Sequence, residues 1–154
     1  MDDIIKLTRM ISDHEGVKLK IYDDATGQEI GAGDTLIGHP TIGVGRNISK
    51  HGLGISTEES DYLLLNDIDR VKKEIKGFPI EHLNEPRTAV IIDMAFNMGI
   101  TRFNNIKWPK FFKALENEDW DTATKEMLDS NWARQTKRRA VRLSKMMHEG
   151  YWVD

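Results

Sequence analysis

The sequence contains no cysteine among its 154 residues. Disulfide bonds, thiolate catalysis and cysteine-ligated metals are therefore excluded, and the fold does not depend on a redox compartment. No apolar run approaches the roughly 20 residues that a transmembrane helix needs. The opening residues, MDDIIKLTRMISDHEG, begin with two acids and lack the uninterrupted apolar core of a secretory signal. We therefore expect a protein that is made in the cytoplasm and does not insert stably into a membrane.

Acidic residues are missing from one long stretch of the chain. Residues 130–148 carry six Lys or Arg side chains and no Asp or Glu, although the whole chain has a net charge of −3. Such a basic segment is suited to binding a polyanion. A solvated helix face whose charge is neutralised by its neighbours is the other interpretation, and the composition leaves both open.

The N-terminal third shows a change of pattern from helix to sheet. Apolar residues recur at helical spacing in residues 3–14, and Gly16 is suited to end that helix. VKLKIY (residues 17–22) alternates apolar and polar residues, as strands do. Six glycines follow between residues 27 and 45, which excludes a long helix there. Residues 17–48 are therefore predicted to form a small antiparallel sheet or extended hairpin.

The remainder of the chain is predicted to be helical. Ser56 and Glu59 form a capping box at the start of a long amphipathic helix over residues 56–76. Asn84 and Pro86 begin a second helix, apolar on nearly every side and closed by Gly99. Three shorter helices are expected over residues 109–116, 119–129 and 133–147.

The predicted fold is α+β and forms one domain, residues 1–154. It has a small antiparallel β lobe (about residues 15–55) and a larger helical lobe (about residues 77–154, together with the N-terminal helix). The long helix joins the two lobes.

Carboxylates cluster where the first helix ends. Eight residues separate Glu15 from Asp24, and Asp23 precedes Asp24. Glycoside hydrolysis needs a pair of carboxyl groups, of which one donates a proton to the leaving oxygen and the other acts on water or the sugar. The alternative is a non-catalytic one, in which Glu15 lies at a surface helix end and the two aspartates form a turn. These residues alone leave both interpretations open.

Four ordered motifs carry a family resemblance. EGVKLKIYDD, TIGVGRNI, TAVIIDMAFNMG and SNWARQTKRRA resemble the phage-type (T4-like) lysozymes, or endolysins, of glycoside hydrolase family 24. The resemblance covers essentially the whole chain. It implies a lysozyme-like fold and a muramidase that hydrolyses the β-1,4 bond between N-acetylmuramic acid and N-acetylglucosamine in peptidoglycan, with inversion at the anomeric carbon.

The resemblance also implies catalytic roles. Glu15 matches the general acid, Asp24 matches the residue that holds or activates the attacking water, and Thr41 matches the residue that positions this water. The neighbours Asp23 and Asp34 are weaker candidates than Asp24, because only Asp24 has the family spacing from the glutamate.

Four further positions match substrate-binding or supporting residues of the family. Gly43 and Gly45 would allow the hairpin backbone to approach the sugar chain. Phe96 would lie at the floor of a cleft, and Arg139 matches an arginine that pairs with the catalytic glutamate.

The chain departs from the family pattern between Asp24 and Thr41. Sixteen residues separate the two, where about five are usual, and the extra segment GQEIGAGDTLIGHP is expected to lengthen the hairpin. Thr26 and Thr35 are nearby alternatives to Thr41, which we prefer because I-G-V-G follows it alone. Arg46 stands where many relatives carry histidine.

No metal or cofactor is predicted. DHEGVK is not an H-E-x-x-H site, because Lys18 occupies the second ligand position. GVGRN contains a lone G-x-G without the rest of a nucleotide fingerprint. Trp132 is predicted to lie in the core, and Trp108 has the best claim among the tryptophans to contact a ligand.

Other functions remain open. A lytic transglycosylase would use the same fold without a water-positioning Asp, and a relative without catalysis would only bind sugar. A nucleic-acid-binding module built on the basic segment would leave the E-G and T-I-G-V-G motifs unexplained. The favoured expectation is a monomer that acts on peptidoglycan and binds no nucleic acid. It would wait in the host cytoplasm for release to the periplasm, although a tail-associated place in the virion is equally compatible.

Overall fold

The computed structural model describes residues 2–153. It contains a three-stranded antiparallel sheet and seven helices in that range, as the predicted α+β fold requires. The elements are α1 (Asp2–Glu15), β1 (Lys18–Asp23), β2 (Pro40–Gly43), β3 (Arg46–Asn47), α2 (Thr57–Glu74), α3 (Glu85–Met98), α4 (Pro109–Glu116), α5 (Trp120–Leu128), α6 (Asn131–Thr136) and α7 (Arg138–Glu149).

The chain divides into two compact units, residues 1–61 and 62–154. The boundary falls within α2, so α1, the sheet and the first turn of α2 belong to the first unit, and the rest of α2 and helices α3–α7 belong to the second. The lobe boundaries expected from the sequence, and the assignment of α1 to the helical lobe, stay predictions.

The sheet of the first unit has the strand order β1-β2-β3. Asp23 pairs with Pro40 and Tyr22 with Thr41, and the register shifts between Lys18 and Tyr22. The β1–β2 hairpin thus ends at Asp23 and Pro40, so the inserted segment does not lengthen it. Instead, residues 28–30 return along the other edge of β1, where the amide of Ile30 donates to the carbonyl oxygen of Ile21 at 3.0 Å.

The first unit is held by polar contacts. Among its described residues, the two that are fully buried are Asp23 and Thr41. Ile4, Leu7 and Ile11 share the predicted apolar face of α1, but all three are exposed. Buried polar groups must be hydrogen-bonded to be tolerated, so the bonds of Asp23 and Thr41 largely determine the local structure of this unit.

The second unit contains the hydrophobic core. Val90, Ile91 and Met94 of α3 are fully buried, which confirms the prediction of a central apolar helix. Phe78, Phe103, Phe111 and Phe112 form an aromatic cluster beside it, and the rings of Phe78 and Phe112 meet edge to face at 4.9 Å. Trp132 is also buried, as predicted.

Helix ends follow the capping residues in the sequence. The Glu59 amide donates to Ser56 Oγ at 3.2 Å, and the Ser56 amide donates to Glu59 Oε2 at 2.8 Å, so the predicted capping box is present. Asn84 Oδ1 accepts the amide of Arg87 at the start of α3. Such bonds satisfy amides that have no partner within the helix.

The prediction of one helix over residues 133–147 is wrong. Two helices, α6 and α7, meet at Lys137, whose backbone has a φ of 48°. The Lys137 amide donates to the Ala133 carbonyl at 2.8 Å and so closes α6 before α7 begins. No helix formed by residues 2–153 is long and apolar enough to cross a membrane.

Candidate functional site

Glu15 is the last residue of α1 and its side chain is exposed. The helix ends here because Gly16 adopts a φ of 73°, and its amide donates to the Ser12 carbonyl at 2.9 Å. The Glu15 carboxylate lies beside Gly45 in the turn between β2 and β3: a Cβ built on Gly45 would be 3.3 Å from Glu15 Oε2. The absence of a side chain at Gly45 therefore gives the carboxylate its room.

Asp23 is buried and carries three backbone hydrogen bonds. Its Oδ2 accepts the amide of Ile37 at 2.7 Å, and its Oδ1 accepts the amides of Ala25 at 2.9 Å and Gly38 at 3.0 Å. These bonds, with that from Ile37 strongest, lower the pKa of Asp23 against the opposing effect of burial. Asp23 thus fastens the two ends of the inserted segment and has no oxygen free of protein partners.

Asp24 faces solvent, unlike its neighbour. The amide of His39 donates to its Oδ1 at 2.6 Å, and Nδ1 of the His39 ring lies 3.6 Å from its Oδ2. Gly38 packs against the same carboxylate so closely that any Cβ there would overlap Asp24 Oδ1 and Ala25. Asp24 therefore combines a fixed position with an accessible second oxygen, which a residue that acts on water needs.

Thr41 lies in β2, opposite Tyr22, and is buried. Its hydroxyl donates to the carbonyl oxygen of His39 at 3.1 Å. The same carbonyl accepts the amide of Asp24 at 3.1 Å. Thr41 and Asp24 are thus joined through His39, and the Thr41 oxygen keeps its lone pairs for accepting a hydrogen bond.

The glycines of T-I-G-V-G differ in their surroundings. Gly43 and Gly45 both have positive φ, 67° and 66°, a conformation that side chains disfavour. Apart from its two chain neighbours, no described residue has an atom within 4 Å of a Cβ built on Gly43, whereas Gly45 faces Glu15. The two glycines give the β2–β3 turn an open backbone surface.

Arg46 secures this turn to the start of α2. Its Nη2 donates to Glu59 Oε1 at 2.8 Å and its Nη1 to Glu59 Oε2 at 3.2 Å. Nη1 also donates to the Gly54 carbonyl at 3.0 Å. Only guanidinium offers this forked geometry to a carboxylate, so Arg46 acts here as a structural clamp.

Phe96 and Arg139 lie in the second unit. Together with Asp93 they line a cavity of about 390 Å³, whose other walls are Leu64, Ile68, Ala89 and Ile92. Arg139 Nε donates to Asp93 Oδ1 at 2.7 Å, a partner that the sequence did not suggest. The pairing of Arg139 with the catalytic glutamate, implied by the family resemblance, stays a prediction.

Trp108 has a mainly structural setting. Its ring packs edge to face on Phe103 and Phe111, and its Nε1 donates to the Arg102 carbonyl at 3.1 Å. It is only partly buried, and it also lines a second cavity of about 600 Å³ with Trp132. Its predicted contact with ligand therefore stays a prediction.

The basic segment lines a separate groove of about 660 Å³. Leu128, Ala133, Ala140, Val141 and Val153 form its apolar part, and the charged part consists of Arg134, Lys137, Arg138, Arg142 and Lys145. None of the described residues that line this groove is aromatic. The groove therefore offers positive charge for phosphates but not the aromatic rings on which single-stranded nucleic acids often stack.

The described residues include no group of three or more His, Asp or Glu side chains arranged to hold a metal ion. Around Asp24 and Thr41, the side chains supply carboxylates, a hydroxyl and the His39 imidazole. Sequence reasoning selected Glu15, Asp24 and Thr41, and it missed His39. The position of His39 immediately before Pro40 and Thr41 is the one signal that pointed to it.

The chain is similar to proteins of one known family. The profile of the phage lysozyme family matches residues 12–145. Two proteins of Dictyostelium discoideum, probable T4-type lysozymes 1 and 2, are 29% and 27% identical to the chain. The first match covers 92% of both chains and the second covers 96% of both.

A third relative is the pre-baseplate central spike protein Gp5 of Enterobacteria phage T4. It is 29% identical over an alignment of 166 positions that covers 95% of this chain. The chain spans only 28% of the length of that spike protein.

Proposed function

Because this chain belongs to the phage lysozyme family of glycoside hydrolases, we propose that it is a peptidoglycan muramidase. It hydrolyses the β-1,4 bond between N-acetylmuramic acid and N-acetylglucosamine. The observation that carries this proposal is the pair of accessible carboxylates in the first unit: Glu15 against Gly45, and Asp24 with Oδ2 free of backbone bonds. The names of the two Dictyostelium relatives, both T4-type lysozymes, support the same activity.

Glu15 is the general acid in this mechanism. Its protonated carboxyl donates a proton to the glycosidic oxygen as the bond to the anomeric carbon breaks, so that the leaving sugar departs as a neutral alcohol. The exposed position of Glu15 at the end of α1 leaves the carboxyl accessible to a large polymer.

Asp24 is the general base. Its Oδ1 is held by the amide of His39, so Oδ2 is the oxygen that takes a proton from the attacking water. Water attacks the face of the sugar opposite the leaving group, which inverts the configuration from β to α. Inversion requires a water molecule between the base and the anomeric carbon, and an exposed Asp24 leaves room for it.

Thr41 is the third member of the catalytic set. Its hydroxyl hydrogen is committed to the His39 carbonyl, so its remaining function towards water is that of an acceptor. The same bond supports the loop that carries Asp24. Thr41→Val would remove both functions while nearly preserving the side-chain shape, whereas Thr41→Ser would keep both.

Four further residues are proposed to contact the polymer or support the site. Gly43 and Gly45 present backbone without side chains to the sugar chain. Phe96 offers a half-exposed ring, and Arg139, held by Asp93, offers a guanidinium in the same cavity.

The biological setting follows from the substrate. We propose a phage endolysin that reaches the wall from the host cytoplasm. The similarity to a baseplate spike protein favours a second setting, in which the same reaction opens the wall during entry. Both settings use one chemistry and differ in when the enzyme meets peptidoglycan.

The test is digestion of purified peptidoglycan by the wild type and by Glu15→Gln, followed by mass spectrometry and NMR of the soluble products. We expect fragments with hydrated, reducing-end N-acetylmuramic acid, first released as the α-anomer. Loss of the general acid should lower kcat roughly 10²–10⁴-fold. Glu29→Gln is the matched control, because Glu29 is an exposed glutamate in the same unit.

The alternatives give different products. Anhydro-muramic fragments would indicate a lytic transglycosylase and would leave Asp24 and Thr41 without their roles. Wild-type activity in Glu15→Gln would show that another residue is the acid. No release of sugar by the wild type would contradict the muramidase proposal and return attention to the basic groove of the second unit.

A further inference from the structure

The basic groove of the second unit lies around the junction of α6 and α7 and has a volume of about 660 Å³. Its charged lining consists of five cationic side chains: Arg134, Lys137, Arg138, Arg142 and Lys145. None of the described residues that line it is acidic. Such a concentration of charge of one sign attracts an anionic partner.

Within the described part of the chain, carboxylates do not pair with these five side chains. Among residues 2–153, no carboxylate oxygen lies within 4.0 Å of their charged nitrogens. Arg134 and Arg142 donate to main-chain carbonyl oxygens, of Asp129 at 3.0 Å and of Val153 at 2.7 Å. Because a carbonyl carries no net charge, both guanidinium groups keep their full charge for a ligand.

Exposed aliphatic side chains lie among these charges. The face of α7 that carries Arg138, Arg142 and Lys145 also carries Val141. Val141 is 63% exposed, and Leu128 at the end of α5 is 46% exposed. Removal of such aliphatic surface from water is favourable. The groove therefore suits a partner that offers apolar groups as well as negative charge.

Two exposed aromatic residues follow α7 and adjoin the groove. Gly150 ends the helix with a φ of 74°, and Arg142 then holds the carbonyl of Val153, which lines the groove. Between these two points lie Tyr151 and Trp152, which are 51% and 59% exposed. Tyrosine and tryptophan favour the boundary between the polar and apolar layers of a lipid bilayer.

We propose that the basic groove and the adjoining residues Tyr151 and Trp152 form a docking surface for an anionic phospholipid bilayer. The cationic side chains bind lipid phosphates, and Leu128 and Val141 contact the upper part of the acyl chains. The two aromatic residues anchor the chain at the boundary between these layers. This inference goes beyond the proposed function and does not depend on it.

Positive charge alone suits several polyanions, and the apolar residues favour a bilayer among them. Duplex DNA presents phosphates and sugars, with which Leu128 and Val141 gain little. A bilayer presents phosphates beside acyl chains, so it matches both kinds of side chain in the groove. It also presents many phosphates in one plane, so several cations bind at once, and each adds roughly fivefold to the affinity.

The experiment measures sedimentation of the full chain with sucrose-loaded vesicles. One set of vesicles contains phosphatidylglycerol and phosphatidylcholine in the ratio one to two, and the other contains phosphatidylcholine alone. Arg138→Gln/Lys145→Gln removes two charges of the groove, and Val141→Thr replaces a methyl group by a hydroxyl with little change of shape. Lys72→Gln/Lys73→Gln is the matched control, because it removes two exposed lysines of α2 from the same unit.

We expect the wild type to bind the anionic vesicles roughly tenfold or more tightly than phosphatidylcholine. This preference should fade in about 1 M NaCl, where the Debye length is about 3 Å. Arg138→Gln/Lys145→Gln should weaken binding roughly 10- to 30-fold. Val141→Thr should weaken it roughly two- to fourfold, and Trp152→Ala should weaken it at least as much.

Three results would overturn the proposal. Equal binding to the two kinds of vesicle would show that the groove does not recognise anionic lipid. An equal loss in Lys72→Gln/Lys73→Gln would show that net charge, and not the groove, governs binding. Unchanged binding in both Val141→Thr and Trp152→Ala would indicate a purely ionic contact, and binding of duplex DNA with the same charge dependence would then identify nucleic acid as the occupant.

Two parallel measurements keep this proposal separate from the muramidase proposal and from effects on folding. Peptidoglycan turnover without vesicles should be the same in Arg138→Gln/Lys145→Gln and in the wild type, so each proposal can fail while the other stands. Thermal unfolding of each variant reports any loss of structure, and a variant that binds weakly while it unfolds like the wild type has lost a contact with the bilayer.

Discussion

Glu15 and Gly45 are in contact across the first unit, although 29 residues separate them in sequence. A Cβ built on Gly45 would lie 3.3 Å from Glu15 Oε2 and 3.8 Å from its carboxyl carbon. The first distance is tighter than an ordinary van der Waals contact and the second is ordinary, so a methyl group at this position would require the carboxylate to move by a few tenths of an ångström. The turn of T-I-G-V-G thus lies against the proposed general acid, in addition to its proposed contact with the sugar chain.

Gly45→Ala is therefore predicted to lower activity by moving Glu15. Errors of about 1 Å in a catalytic group cost up to roughly 100-fold in rate, so for a shift of a few tenths of an ångström we expect kcat to fall by roughly two- to tenfold. Alanine at this position would also have to adopt the positive φ of 66°, which should lower the free energy of unfolding by about 1–2 kcal/mol. Peptidoglycan turnover and urea unfolding measure the two effects.

Gly54→Ala is the matched control for Gly45→Ala. Gly54 lies in the same unit with a φ of 59°, and within residues 2–153 only its two chain neighbours can lie within 4 Å of a Cβ built on it. It should lose a similar amount of stability and keep its activity. Equal activity losses in the two variants would mean that backbone strain alone, and not contact with Glu15, explains the effect.

Asp23 and Asp24 are adjacent carboxylates with opposite predicted phenotypes. Asp23→Asn should destabilise the protein, because an amide cannot replace a buried carboxylate that accepts three amide hydrogen bonds. Asp24→Asn should leave stability nearly unchanged, because Asp24 is exposed. It should remove most activity, because an amide cannot take a proton from water as the proposed general base does. Chemical unfolding and turnover of the two variants give a direct comparison.

The pH dependence provides an independent check on Asp23. Its pKa is lowered from the ordinary value of 3.8, so its stabilising effect is fully present above that value and is lost as the pH falls through the lower, folded-state pKa. The stability difference between wild type and Asp23→Asn should be constant near neutral pH and shrink below about pH 4. A difference that persists unchanged in acid would contradict the assignment.

Local features were predictable because they depend on neighbouring residues. The capping box of Ser56 and Glu59 and the Asn84 cap lie within three residues of their partners, and both were read from the sequence. The segregation of a small sheet from the helices followed from the glycine content of residues 27–45. The match to α4 over 109–116 was complete.

Contacts across the inserted segment were not predictable. His39 is 15 residues from Asp24, and Ile37 is 14 residues from Asp23. Nothing in the sequence states how a glycine-rich loop returns, because glycine permits many backbone paths. These hydrogen bonds distinguish a structural Asp23 from an accessible Asp24. The sequence distinguished the two only by their spacing from Glu15.

Arg139 and Asp93 form a pair that joins α7 to α3, and their side chains are 39% and 36% exposed. Because solvent screens such pairs, we expect a coupling free energy of about 0.2–1 kcal/mol. A double-mutant cycle with Arg139→Gln and Asp93→Asn, followed by urea unfolding, measures it. A coupling free energy of zero would mean that the pair with Asp93 does not stabilise the protein and that other contacts position Arg139.

His148 is predicted to make stability depend on pH near neutrality. Nε2 of His148 lies 2.9 Å from Asp121 Oδ1, and Nδ1 lies 3.3 Å from Glu149 Oε1. These partners, with Asp121 first, raise the pKa of His148 above the ordinary 6.5. The stabilisation is therefore fully present below that value and is lost as the pH rises through the folded-state pKa.

Asp121→Asn tests this linkage. The variant should lose most stability relative to wild type at about pH 5.5, and the difference should narrow at about pH 8.5, where neutral imidazole gains less from a carboxylate. Asp69→Asn, an exposed aspartate in α2, is the control. If the loss of stability in Asp121→Asn does not vary with pH, it results from removing a charge in the first turn of α5 and not from losing the contact with His148.

The break between α6 and α7 is the clearest failure of sequence reasoning, and it has a local cause. Helices commonly end at glycine, because a residue with positive φ must follow the last turn. Here Lys137 takes that conformation, with φ of 48° and ψ of −105°, and no glycine or proline marks the position. Packing decides the break: Trp132 and Ala133 are buried on α6, and Ala140 and Leu143 on α7.

Lys137→Gly is accordingly predicted to stabilise the protein. Glycine adopts positive φ without the steric cost that lysine bears, which should raise the free energy of unfolding by up to about 1 kcal/mol. Lys137→Ala is the control, because it removes the same charge and keeps the strained backbone. Urea unfolding should show Lys137→Gly above both wild type and Lys137→Ala. If the two variants are equally stable, relief of charge repulsion at the start of α7 explains the gain, and the backbone of Lys137 bears no measurable strain.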